Sequence, residues 1–480
     1  MKKLYFNVQD FGATGIAMPM ERLYLTVTGH IDYHYPAGLF RDIYRPDLAV
    51  AVYDSVGIQA AVDAAHAQGG GTVIVPPGDY LIAPLSMRSN VELHLQRGAC
   101  LWGSPELEDY FFEPAECWDL ISDYCAGSND FAADDPTRFI HRLISARDAE
   151  NFAITGGGQI SAQSGTWFIP WLNSERSAKL VRPKEMFVFK NCRRVAVKDI
   201  RIVDSAYWTL LFHECDNVLV DGIELNHFDG PNADGIDLSA TSNVRIANCK
   251  IHCTDDAVCM KNVNPDFTMR NIVVSNCIIR TLCNGVKIGT ESWGNFSDIA
   301  IDNLVIANPD NDVKHGHGGI NLNSMDGGRI DNVRISNIVM RNVECPIYII
   351  AGKRTKFQSK VRTPIAGKIR NVAISHVSVV NSTHPCLIAG QPENPPENLR
   401  VSDIYIEKTE GIKQQLPAES ISDNPEAYPR PTVLGENLPA YGWYIRNAHN
   451  VKFTNCETSS SGDVRDEFVT EFTGEKDEFK

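Results

Sequence analysis

The densest run of groups able to move protons lies between Asn232 and Asn262, NADGIDLSATSNVRIANCKIHCTDDAVCMKN. It holds Asp234 and Asp237, then the adjacent pair Asp255 and Asp256. Carboxyl groups held close together do not all ionise freely. Mutual repulsion raises at least one pKa and leaves a protonated acid beside ionised neighbours. Glycosidic cleavage needs such a set: one acid protonates the leaving oxygen, and one base activates water or attacks carbon. Taken singly, the residues also have plainer readings. Asp234-Gly235 is a common turn pair, Asp237 can bond turn backbone, and an Asp-Asp pair can sit in water or hold Ca²⁺. Asp234 and Asp256 are 22 residues apart, so their meeting depends on the elements that carry them.

Those elements repeat. The unit is an Asn, an apolar-polar alternation, a polar turn and a second short apolar run. It starts at Asn90, Asn151, Asn217, Asn243, Asn271, Asn332, Asn371, Asn398 and Asn450, with cousins at Arg194 and Asp298. The steps from 217 to 243, 271 and 298 are 26, 28 and 27 residues, and those from 298 to 332 and 371 are 34 and 39. Period-two alternation predicts strands. Short strands recurring every ~25 residues without helical patterns between them predict a parallel β-helix, one turn of chain per rung. A propeller would need blades of about 40–45 residues with hairpin signals. On a solenoid the 22-residue step is close to one rung, which places Asp234 about one strand spacing from the Asp pair. A leading Asn at one corner of each rung can form an amide ladder that satisfies turn backbone.

The remaining chain suits this plan. Ser55 to Gln68 carries apolar residues at helical spacing and reads as an amphipathic cap over the open end of the solenoid. Gly69-Gly70-Gly71 follows that helix, and no Lys-Ser/Thr comes after it, so it reads as a turn and not a phosphate loop. Residues 12–53, 102–141, 352–366 and 410–440 read as loops, and the charged residues 461–480 as a frayed tail. The expected organisation is one domain over residues 1–460, with the cap and opening loops in about the first 88. The net charge of −15 lacks the basic footprint of a nucleic-acid binder and offers no attraction to anionic membranes. No apolar stretch has the length of a membrane span or signal peptide, so the expected compartment is the cytoplasm. The 13 cysteines, without a CxxC, read as free, mostly buried thiols. No cofactor and no metal is expected.

The chain resembles glycoside hydrolase family 28, the polygalacturonases and rhamnogalacturonases. FNVQDFGATG from Phe6, IQAAVDAAHAQGGGTVIVPPGDYLI from Ile58 and NVELHLQRGACLWGS from Asn90 resemble its opening strand, cap and first rungs. NADGIDL matches its Asn-Thr-Asp motif with Ala233 in place of Thr, and CTDDAVCMK matches its Asp-Asp motif. The resemblance covers roughly residues 5–460 and implies a single-stranded right-handed parallel β-helix, all-β apart from its N-terminal helical cap. It also implies inversion of configuration, with Asp255 as general acid and Asp234 plus Asp256 activating water.

Two departures bear on the substrate. Where the family has Gly-His-Gly this chain has Cys283-Asn284-Gly285, and where it has Arg-Ile-Lys this chain has Asn321-Leu322-Asn323. Gly316-His317-Gly318 occurs later, and reads either as a Gly-rich loop or as bringing His315 or His317 over the cleft. The run Asn284–Ser292, NGVKIGTES, and the step Gly352-Lys353-Arg354 resemble a bacterial subgroup, as does the late segment from Glu436. Lys287 and Arg354 are the candidate replacement cations, though either can be a surface charge. Trp208 and Trp293 read as sugar platforms or as core residues. With Asn232, Asp237, Lys261, Asn284, Glu291 and His317, these complete the expected substrate contacts. The expected activity is exo-acting hydrolysis of a pectin-derived oligosaccharide, the loops walling off one end of the cleft. The rivals are a β-helix polysaccharide lyase and a non-catalytic glycan-binding module. Unless Lys287 and Arg354 restore the clamp, loss of the Arg-Ile-Lys cations predicts a neutral sugar at the cleavage point, or a uronate held in another way.

Overall fold

The computed structural model describes residues 4–16, 53–104, 107–110, 142–164, 185–227, 232–309, 315–354, 365–409, 421–471 and 473. Most of the loops expected at 12–53, 102–141 and 352–366 lie outside the described residues. The chain divides into two compact units. The first comprises Met1–Ile121, Phe131–Asp237 and Asn248–Asp255, and the second Ser122–Asp130, Leu238–Ala247 and Asp256–Lys480.

The first unit winds through three parallel stacks. Gly71–Val75, Val91–Leu95, Glu150–Gly156, Arg193–Lys198 and Asp216–Asp221 pair in order. Gly78–Ile82, Ala99–Gly103, Gln159–Ser161, Arg201–Val203, Glu224–Asn226 and Lys250–Cys253 form the second stack. Leu85–Ser86, Ile144–Arg147, Phe187–Lys190 and Leu210–His213 form the third. The predicted cap is the helix Ser55–Ala67, which buries Ile58, Ala61, Val62 and Ala65. Its Gly57 sits where an added Cβ would come within 2.5 Å of the Ala13 backbone nitrogen, so the cap packs directly on the opening segment.

The second unit is built of longer parallel strands. Ser242–Ala247, Thr268–Thr281, Asn295–Ala307, Arg329–Arg341, Lys368–Ser382, Glu397–Lys408 and His449–Ser459 make one stack. Equivalent aliphatic residues fall into register there: Val244, Ile272, Ile299, Val333, Val372 and Leu399 form one buried column. Each such side chain is worth roughly 1.5–3 kcal/mol on burial, so the repeat stabilises itself rung by rung. The other stack is Val258–Asn262, Asn284–Ser292, Gly316–Ser324, Val343–Ala351, Cys386–Ala389, Ala440–Arg446 and Asp466–Glu471. The last of these strands lies inside the expected frayed tail. It pairs with Ala440–Arg446 because its backbone completes an otherwise open edge.

The leading residue of every predicted repeat has a left-handed backbone. Asn90, Asn151, Arg194, Asn217, Asn243, Asn271, Asp298, Asn332, Asn371, Asn398 and Asn450 all have φ between 48° and 65°. Asn tolerates that conformation best among the non-glycine residues, which is the local reason it recurs. The amide ladder is present in part: Asn151 donates to Asn90, Asn271 to Asn243 and Asn450 to Asn398, at 2.8, 2.8 and 2.6 Å. A second corner, not anticipated from sequence, repeats the device at Asn248, Asn276, Asn303, Asn337 and Asn455, again with positive φ. Of the 13 cysteines, the 11 described are free, and nine of them are buried. Among the described residues no helix is long and apolar enough to cross a membrane.

Candidate active site

In the second unit the strands Asn284–Ser292 and Gly316–Ser324 are buried on both faces. Val286, Ile288, Ile320 and Leu322 alternate with Lys287, Asn321 and Asn323, all buried. Strand periodicity puts these polar residues on the face opposite the aliphatic ones. Register then stacks Cys259, Lys287, Asn321 and Tyr348 on successive strands.

Asp256 and Lys287 form the centre of this face. The Lys287 ammonium lies 2.8 Å from Asp256 Oδ2, with both side chains almost completely buried. The Asn284 amide nitrogen donates to Asp256 Oδ1. The Asn284 carbonyl oxygen in turn accepts from the Asn321 amide and, at 3.0 Å, from the Tyr348 hydroxyl. Burial by itself would push the Asp256 carboxyl up. The Lys287 and Lys261 ammonium charges and the hydrogen bonds from Lys287 and Asn284 outweigh it and hold the carboxyl below its ordinary value. For Lys287, burial is likewise overcome by the Asp256 carboxylate, which keeps the ammonium charged. Asp256 is therefore an ionised base in a fixed orientation, the form required to take a proton from water.

Arg354 is placed differently. Its guanidinium forks onto Asp326, Nε to Oδ1 at 2.9 Å and Nη2 to Oδ2 at 2.7 Å. Glu291 stands 3.5 Å from the same Nη2. The Ser292 backbone N–H also donates to Asp326, so this cluster ties neighbouring strands together. His317 is exposed, with Nδ1 3.9 Å from Cys283 Sγ. The late Gly-His-Gly thus lies in a strand beside Cys283-Asn284-Gly285, Gly318 pairing with Asn284, and is not a separate loop. Trp293 is half-buried, its backbone N–H donating to the Asn262 carbonyl at 2.8 Å.

In the first unit Asp234 is buried beside a neutral hydrogen-bond chain. The Asp234 carbonyl accepts from the Thr209 backbone N–H at 3.0 Å and the Thr209 hydroxyl at 2.7 Å. Thr209 Oγ1 lies 2.7 Å from His227 Nε2, and His227 Nδ1 accepts from the Ser205 N–H. That acceptor role puts the imidazole proton on Nε2, from which it is donated to Thr209. Burial, and after it the neighbouring His252, push His227 down to about 3, so the ring is neutral. Asp255 is half-buried, its N–H directed at the Ala233 carbonyl at 3.4 Å. Asn232 has a left-handed backbone, φ 62°, and Asp237 is fully buried in Ile236–Ser239. Trp208 packs on Val188 and Leu211, the arrangement of a core aromatic.

The structure adds Tyr348, Tyr428, Asp326, Thr209 and His227 to the residues singled out from sequence. Tyr348 and Asp326 lie between the repeats read from sequence and carry no motif, and Tyr428 reaches Lys287 from 141 residues away.

The family profile of glycosyl hydrolases family 28 matches residues 115–423, more than half of the chain. The chain belongs to that family. A probable polygalacturonase of Arabidopsis thaliana is 22% identical over 271 residues, 54% of this chain and 57% of the relative. The chain thus spans little more than half the length of that curated relative. The family 28 exopolygalacturonase of Yersinia enterocolitica shares the fold with a TM-score of 0.66 at 19% identity, over 99% of this chain and 79% of the other. The exopolygalacturonase of Thermotoga maritima does so with a TM-score of 0.63 at 20% identity, over 85% and 88%. The family 28 fold is the right-handed parallel β-helix, as the repeats and the family resemblance together lead one to expect.

Proposed function

We propose that this family 28 chain hydrolyses glycosidic bonds in pectin-derived oligosaccharides, acting from a chain end and with inversion. The observation that carries the reading is the buried Asp256–Lys287–Asn284 constellation, which keeps a carboxylate ionised and oriented one residue from a second carboxyl group. Asp255 serves as general acid: its proton goes to the glycosidic oxygen as the bond to the anomeric carbon breaks. Asp256, with Asp234, takes a proton from the water whose oxygen bonds that carbon from the other face. The two similar exopolygalacturonase structures support action at chain ends.

The test is turnover of a panel of pectic oligosaccharides, with products read by mass and by proton NMR of the first-formed anomer. Hydrolysis to a shortened chain plus one terminal sugar, with inverted configuration, is the expected result. Net retention refutes the assigned roles. A product with a new ultraviolet-absorbing double bond refutes hydrolysis in favour of a lyase.

A further inference from the structure

Both cations proposed from sequence to receive a substrate carboxylate are committed inside the protein. Lys287 is neutralised by Asp256 and Arg354 by Asp326 and Glu291. The strand stretch Asn321-Leu322-Asn323 supplies none. Lys261, whose charge also acts on Asp256, is buried as well, so a carboxylate-bearing sugar near Asp256 would meet no exposed cation among these three, and the net −15 of the chain adds no attraction.

A further cation stands on the far side of one contact from Lys287, on a segment past the end of the family match. Tyr428 donates no distant support: its hydroxyl lies 2.8 Å from Lys287 Nζ, and its ring centroid is 5.2 Å from the same ammonium. Tyr428 as a residue is 47% exposed. The Arg430 guanidinium carbon lies 5.8 Å from that ring centroid. Arg430 is exposed, and among the described residues its side chain has no hydrogen bond or ion pair. Cation–π stacking restrains the guanidinium without consuming its N–H donors.

The segment is anchored. Val433, Leu434 and Leu438 pack with Tyr348, Leu387 and Tyr444 in one apolar cluster. Asn424 Nδ2 donates to the Val433 carbonyl at 2.7 Å, and the Lys353 N–H to the Pro425 carbonyl at 2.6 Å. An arm fixed at both sides of Tyr428 holds a planar, five-donor cation against the ring that contacts Lys287, the partner of the buried base. Guanidinium is the side-chain group best matched to a carboxylate, which it binds through paired N–H donors.

We infer that Arg430, stacked on Tyr428, is the specificity-determining residue that receives the carboxylate of a uronic-acid sugar at this site. The inference deepens the hydrolase reading and rests on it for the saccharide nature of the ligand. It turns the substrate expectation toward a uronate held from the 421–440 arm.

The experiment compares oligogalacturonate with its methyl ester, the same chain with the charge removed. Affinities are measured by calorimetry and turnover by kcat/KM for wild type, Arg430→Ala, Arg430→Lys, Tyr428→Phe and Tyr428→Ala. Wild type is expected to prefer the free acid. Arg430→Ala should cut that preference about tenfold, the scale of one charge-assisted hydrogen bond at an exposed site. Arg430→Lys should keep part of it. Tyr428→Phe should retain the preference through the remaining ring, and Tyr428→Ala should lose it. A wild type without preference for the free acid overturns the inference, as does a preference that Arg430→Ala leaves intact. Turnover that is indifferent to Arg430 defeats this inference and leaves the hydrolase reading standing. Arg430-dependent binding without any turnover does the reverse.

Discussion

Asp234 in the first unit and Asp256 in the second are both buried carboxyl residues, and two different kinds of contact help to hold them. Asp256 is gripped by its side chain, through a buried ammonium and an amide. Asp234 is gripped by its backbone, whose carbonyl takes two hydrogen bonds from Thr209 at the end of a neutral histidine relay. The difference matters because a side-chain ion pair acts on the position and the ionisation of its carboxyl group, whereas hydrogen bonds to a backbone carbonyl act on the position of the chain. An ion pair in a low-dielectric site is also strongly coupled, so removing one partner leaves a costly unpaired charge. A neutral relay loses only hydrogen bonds.

The largest expected effect is on Asp255, the chain neighbour of Asp256. Asp255→Asn removes the proton that the leaving oxygen requires, and kcat should fall by about 10²–10⁴-fold with an unchanged unfolding midpoint in urea. Wild-type kcat in this variant would remove Asp255 from the mechanism and leave the contrast without a chemical purpose.

Breaking the ionic grip should cost stability as well as rate. Asp256→Asn strands the Lys287 ammonium and is expected to lower the unfolding free energy by about 3–5 kcal/mol. The double variant Asp256→Asn/Lys287→Met should recover most of that loss, and urea denaturation of both would show it. Lys287→Met alone tests ionisation. The Asp256 pKa is depressed in the folded protein by this cation, so its removal should move the acidic limb of kcat/KM to higher pH. A limb that stays in place would mean that Lys287 does not govern the base.

The relay makes a distinct pH prediction. His227 titrates near 6.5 when unfolded and near 3 when folded, so the unfolded chain binds the extra proton between those values. Its contribution to stability is complete above pH 6.5 and declines as pH falls, by about 1.4 kcal/mol per pH unit, ending near pH 3. His227→Gln should flatten that part of the stability–pH curve, and an unaltered slope would contradict the neutral relay. The smallest effect is expected for Thr209→Val, about 1–2 kcal/mol from the lost hydroxyl bonds. It should reduce kcat through Asp234 without shifting the acidic limb that Lys287→Met moves.

The rungs were legible in the sequence because each is a local statement. Alternation sets the buried face, and an Asn at the corner adopts the left-handed turn, so all eleven starting positions have positive φ. The second corner escaped notice because Asn248, Asn276 and Asn303 sit inside runs that already read as polar turns. Asp234, Asp255 and Asp256 were legible as motifs, since each motif is a short local run of residues.

The fates of Lys287 and Arg354 were not legible. A lysine in a strand reads the same whether it faces substrate or an internal carboxylate. The choice depends on which residues register brings alongside and on whether burial is offset by a partner. Asp256 answers for Lys287, and Asp326 with Glu291 for Arg354. Tyr428 and Arg430 lie in a Pro- and Glu-rich stretch that carries no periodic signal. The sequence alone therefore determined the winding of this chain and its acidic residues, because both follow from short-range pattern. Only the tertiary structure decided which charges are spent inside and which one faces outward. Packing across 141 residues, from Lys287 to Tyr428, is a non-local contact that no local pattern encodes.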